Sequence, residues 1–171
     1  LVDALLNCFI FYIEEYISDH YRYGMTQISE IAVKAMSPGI NDPGTAVKAI
    51  DMLSILLIER LKISDVNYSL KHSTNNQPYL YLHETSFDEL LHDNFTPIRN
   101  YAKGDAYVMV NVLEAFKNIL FRSADSSKAT ESLFVYLEAI VEDINKHITN
   151  EYDRQQVTNM LKAIARISEH N

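Results

Sequence analysis

Asp19, His20, Glu30, Asn41 and Asp42 are the residues whose types could bind a divalent cation. Carboxylate and amide oxygens with an imidazole suit such an ion. The spacing predicts a helix through Glu30 that runs toward the loop holding Asp42, with Asp19 and His20 adjoining its other end. Asp19, His20 and Glu30 can therefore approach one another, whereas Asp42 joins them only through the wider fold. No HExxH or other fixed ligand spacing is present. Arg22 and Lys34 are ready counterions, so a solvated or salt-bridged surface is the stronger reading of the same residues.

A second group is Ser37, Pro38, Gly39, Asn41, Asp42, Pro43 and Thr45. The stretch Ala35 to Ala46 holds two of the chain's four glycines and two of its four prolines. Concentrating such residues in one place fixes one loop shape. Asp42 before Pro43 follows the N-cap and N1 preferences of a helix start, so Asp42→Ala should destabilise the fold. An anion at the same helix start is the rival reading. It lacks the glycine-rich run with lysine of a phosphate loop, would meet repulsion from Asp42, and needs Lys34 or Arg99 nearby. Gly39, just after the preceding helix, is expected at positive φ.

Nucleophilic chemistry finds little support. Ser37 precedes proline rather than sitting in a Gly-x-Ser-x-Gly elbow. Cys8, the single cysteine, lies in the apolar run Cys8-Phe9-Ile10-Phe11 and reads as a small packing residue. No residue set here marks a catalytic centre. Arg99 is expected to pair with Asp42 or Glu30, a structural role preferred over ligand binding.

The elements that must position these groups read as helices. Leu5, Leu6, Phe9, Ile10, Ile13 and Ile17 give the first, and Gly24 to Met36 a second. Ala46, Val47, Ile50, Leu53, Leu57, Ile58 and Leu61 stripe a third. Ser86 and Glu89 form a capping box for a helix to about Asn94, with Pro97 restarting or kinking it. Gly104-Asp105 opens a helix through Leu120, Ser126-Ser127 opens another, and Asn150 breaks before the last. Residues 66–83 alternate and suit a β-hairpin insertion. Glu131, Glu138 and Glu142 share one face, read as solvated. The fold class is mainly α: a bundle of about six or seven helices with a small β-hairpin, residues 1–171 forming one domain.

The 171 residues include 15 Lys and Arg against 23 Asp and Glu, a formal charge of −8. This excludes a nucleic-acid partner of the usual basic kind and disfavours an anionic membrane surface. No run of about 18 apolar residues marks a membrane span. The start at Leu1-Val2-Asp3 suggests a piece of a longer protein. Eleven tyrosines without tryptophan, clustered early at Tyr12, Tyr16, Tyr21 and Tyr23, suit interfaces or half-buried packing.

Tyr23-Gly24, then Ile31 through Pro43 with its Ser37-Pro38-Gly39-Ile40-Asn41-Asp42-Pro43 element, and Thr45-Ala46 resemble a bacterial membrane-protein family, domain of unknown function 2254. A weaker match continues through Phe87, Ile98 to Ala102 and Val108. The resemblance implies N-terminal transmembrane helices followed by a soluble domain, of which this chain is the later, helical part. It carries no catalytic residue. Family members commonly place an acid four positions before the glycine, where this chain has His20. The expected function is an interaction or assembly domain that joins subunits or couples a soluble signal to membrane helices. Its expected partners are further copies of itself, through the segment Leu1 to Ile17, and the upstream helices. The parent would lie in the bacterial cell membrane with this domain on the cytoplasmic side. The alternatives are a metal-dependent enzyme or binder using Asp19, His20, Glu30 and Asp42, and a phosphate-ligand sensor at Pro43. No cofactor is called for beyond that candidate metal.

Overall fold

The structure is a computed structural model; it describes residues 20–63, 67–71, 74–75, 78–123 and 127–168. The expected first helix, with Tyr12, Tyr16 and Asp19, lies outside these residues. Six helices stand among the described residues: α1 (Tyr21–Ala35), α2 (Pro43–Arg60), α3 (Phe87–Ala102), α4 (Ala106–Arg122), α5 (Ser127–His147) and α6 (Glu151–Ser168). Between α2 and α3, β1 (Asn67–Lys71) pairs antiparallel with β2 (Pro78–His83). Ser69 lies opposite Tyr81, and the register slips between Leu70 and Lys71.

Helix starts follow local chemistry. Ser86 Oγ accepts from the Glu89 N–H at 3.2 Å, and the Glu89 carboxylate accepts from the Ser86 N–H at 2.8 Å. This reciprocal pair satisfies two of the donors a helix start leaves open. Asp105 caps α4 by accepting from the Val108 N–H at 3.1 Å. Asn150 Oδ1 accepts from the N–H groups of Tyr152 and Asp153 at the start of α6.

Sequence order becomes packing through apolar faces. α4 is the central helix, with Val108, Met109, Val112, Leu113, Ala115, Phe116, Ile119 and Leu120 all buried. It packs against α2, α3, α5 and α6, while α1 packs on α2 and α3. The seven-residue connection makes α1 and α2 antiparallel neighbours. Buried Ala32, Ala35, Ala46 and Ala49 leave room for their axes to come close. Phe95 meets Phe116 edge-on at 5.2 Å between ring centres, and Phe116 stacks on Tyr136 at 5.5 Å. These rings join α3, α4 and α5 at the middle of the core.

Two features depart from the sequence expectation. α3 does not stop near Asn94 or restart at Pro97; it runs unbroken through Pro97. Proline deletes one backbone hydrogen bond. The buried face of Phe95, Ile98 and Ala102 continues across it, and that packing outweighs the loss. The other is Arg60, a buried cation at the end of α2 that the apolar periodicity does not reveal. Its guanidinium donates to the Ile63 carbonyl at 2.5 Å and to the Thr85 carbonyl at 3.0 Å. One side chain thus holds both stems of the insertion that carries β1 and β2.

Candidate functional site

The loop between α1 and α2 is built almost wholly from its own hydrogen bonds. α1 ends as the Ser37 N–H and Ser37 Oγ both donate to the Lys34 carbonyl, at 3.0 and 2.7 Å. The Ser37 carbonyl then accepts from the N–H groups of Ile40 and Asn41, at 3.0 and 2.9 Å. Pro38 and Gly39 occupy the middle of that turn. Finally the Asp42 N–H donates to the Ala35 carbonyl at 2.7 Å, closing the loop onto the end of α1.

Gly39 is not the left-handed residue. No described glycine has positive φ; Asn41 does, at 48°. The expectation for Gly39 is corrected for a physical reason. Proline at the second position of a turn suits types I and II alike, and only type II needs a left-handed third residue. The reversal that aims Asp42 back at Ala35 falls two residues later, at Asn41. Asparagine tolerates that conformation better than other side chains.

Asp42 performs the expected capping. Its carboxylate accepts from the Thr45 N–H at 3.1 Å and from the Thr45 hydroxyl at 2.6 Å. These bonds, the hydroxyl's first and the N–H second, hold the carboxyl below its ordinary 3.8, with a smaller contribution from Lys48. A Cβ on Gly44 would sit 3.4 Å from the Asp42 carboxylate, so the carboxylate crosses close to the helix start. An anion arriving there would find the Thr45 donor engaged and a negative charge in place.

Beside this loop lies an open cleft of about 220 Å³, lined by Met36, Asn41, Pro43, Tyr101, Gly104 and Asp105. Its second wall is the short connection from α3 to α4, tightened by the Asp105 N–H donating to the Ala102 carbonyl at 2.7 Å. Two helix starts, each capped by its own aspartate, therefore flank one opening. Ile40 and Tyr101 are each more than half exposed at this end of the bundle. The sequence holds no pattern that predicts this pairing, because the two walls lie about sixty residues apart.

The other candidates go elsewhere. Glu30 is exposed and accepts a long 3.4 Å bond from Gln27 Nε2. Asp19 lies outside the described residues, and no three metal-binding side chains converge among the described residues. Arg99 does not reach Asp42 or Glu30. Its Nε stands 3.3 Å from the Asp143 carboxylate on α5, and its guanidinium lies 5.3 Å from the centre of the Tyr136 ring. The helical turn that carries Arg99 faces α5 rather than the loop, so the nearest carboxylate is Asp143. Glu131, Glu138 and Glu142 are exposed as expected, with Glu142 paired to Lys146.

Residues 1–118 match the family described as Predicted membrane protein (DUF2254), a match that takes in both walls of the cleft. The chain belongs to this family. Among its relatives are uncharacterised proteins of Mycobacterium bovis and of the CDC 1551 and H37Rv strains of Mycobacterium tuberculosis. Each is 26% identical over 159 residues, covering 91% of this chain but 29% of the relative. No solved structure matches. Among the described residues no helix is long and apolar enough to cross a membrane.

Proposed function

We propose that this chain is the interaction and assembly domain of a bacterial integral membrane protein, joining subunits or passing a soluble signal to membrane helices. The observation that supports it best is the loop end of the bundle. The most sequence-specific element of the chain builds an exposed, internally bonded loop beside a shallow cleft, with Ile40 and Tyr101 standing out from it. Polar atoms already satisfied, next to exposed apolar and aromatic side chains, suit contact with another protein surface. Asp42 and Asp105 spend their carboxylates on their own helix starts. We propose the cytoplasmic side of the membrane for this domain; its single cysteine, Cys8, allows no disulfide within these 171 residues, which is compatible with a reducing compartment without requiring one.

The test is sedimentation of the chain over a roughly hundredfold concentration range, with Ile40→Asp and Tyr101→Ala beside the wild type. Concentration-dependent association that both substitutions weaken supports the reading. A monomer throughout removes self-assembly from it. Protease access in oriented membrane vesicles of the parent protein tests the cytoplasmic placement.

A further inference from the structure

α2 carries a second exposed surface, on its side away from the core. Its buried face, from Ala46 through Ile50 and Leu53 to Leu57, packs on α1, α3 and α4. On the opposite side Lys48, Met52, Ile55 and Glu59 are all exposed, with Leu56 beside them. They follow one another at steps of four, three and four residues. Those are the steps of a coiled-coil seam. At about 3.6 residues per turn the four side chains stay in one line along about 16 Å of helix. Met52 and Ile55, each more than half exposed, fill its middle. A cation stands at one end and an anion at the other. No described element covers this line.

We infer that a second copy of this chain covers it, its α2 lying antiparallel to the first across a two-fold axis midway between Met52 and Ile55. The order of charges selects both the occupant and its direction. In this pairing Met52 faces the partner's Ile55, and Lys48 faces the partner's Glu59, each contact occurring twice. Lys48 lies four residues before Met52 and Glu59 four residues after Ile55, so both layers come into register together. A parallel pair would instead set lysine beside lysine and glutamate beside glutamate, which repel. The line is therefore complementary to itself in one direction only.

Glu59 also accepts from Lys62 of its own chain at 2.6 Å, and a carboxylate has room for a second cation. Asp51 and Glu59, both exposed on this side, oppose an anionic lipid surface as occupant. The inference rests on the assembly reading and gives that assembly a face of its own, apart from the loop end.

Sedimentation equilibrium of the 171-residue chain with charge reversals tests it. Lys48→Glu and Glu59→Lys should each weaken association about tenfold or more, because every reversed dimer then holds two like-charged contacts. An equal mixture of the two variants should associate like the wild type. One chain then carries acid at both ends of the line, and the other carries base at both ends. Ile55→Asp should abolish association while the circular dichroism spectrum stays unchanged, since the side chain is exposed. A monomeric wild type over a roughly hundredfold range overturns the inference, and so does association that neither reversal weakens. Weakening that mixing does not restore also overturns it, because those charges then meet something other than each other. If Ile40→Asp weakens association and the reversals do not, the loop end carries the assembly and only the α2 pairing fails. The converse result keeps the α2 pairing and removes the loop end.

Discussion

Arg99 and Asp143 join α3 to α5 through a charge contact at 3.3 Å, without the aligned N–H···O geometry of a hydrogen bond. The guanidinium also lies against Tyr136, whose own hydroxyl is 3.0 Å from Thr96 Oγ1 on α3. Burial pushes the Tyr136 hydroxyl above its ordinary pKa. The cation therefore sits at a seam where charge, ring and hydroxyl meet.

Arg99→Lys should cost about 1–2 kcal/mol, because an ammonium keeps the charge but loses the planar contact with the ring. Asp143→Asn should cost a similar amount. Urea denaturation of both single variants and the double variant checks this. The double variant should fall well short of the sum, as expected for two groups in one contact.

Asp42→Ala should lower the thermal midpoint by a few degrees at neutral pH, through loss of the cap on α2. The pH dependence has a definite sign. The folded-state carboxyl is held below 3.8, so its contribution is complete above that value and is lost as the pH falls through the lower folded value. The gap between wild type and variant should narrow only in strong acid. Melting curves stepped downward from pH 6 check it; a gap constant down to the lowest accessible pH would refute the assignment.

Asn41→Gly should be neutral or mildly stabilising, since glycine adopts positive φ without strain. Asn41→Val should cost on the order of 1–2 kcal/mol, because a β-branched side chain resists that conformation. Gly39→Ala should stabilise by about 0.4–1 kcal/mol. Gly39 has ordinary φ, and an added Cβ meets nothing within 4 Å. Chemical denaturation of the three variants decides the matter.

Phe116→Ala should cost about 3–5 kcal/mol, the usual range for emptying a fully buried aromatic site. The loss includes both ring contacts, to Phe95 and to Tyr136. A variant that unfolds with unchanged midpoint would show that the three-ring stack is not the centre of the core.

Much of the fold was legible because it rests on neighbours in sequence. Asp42 before Pro43, Ser86 with Glu89, Asp105 and Asn150 each mark a helix start by chemistry acting over two or three residues. Pro97 misled because its local penalty is outweighed by a buried face that only the folded bundle supplies. Arg99 misled because its partner depends on which helix lies opposite, and spacing along the chain does not say. Gly39 misled because its residue type permits a left-handed turn without requiring one. The cleft was not readable at all: one wall follows α1 and the other follows α3, and only packing brings them together.

The packing of α6 along α4 sets a limit on how the chain can be divided. The family match stops at residue 118, inside α4 and before α5 and α6 begin. Val157 and Ile164 of α6 and Leu133 and Ile140 of α5 belong to the same core cluster as Phe116. A piece cut at that boundary would end in mid-helix and bare the inner side of its own central element. The segment matched by the family model is thus smaller than the core cluster in which it is packed. Any recombinant truncation should keep both later helices.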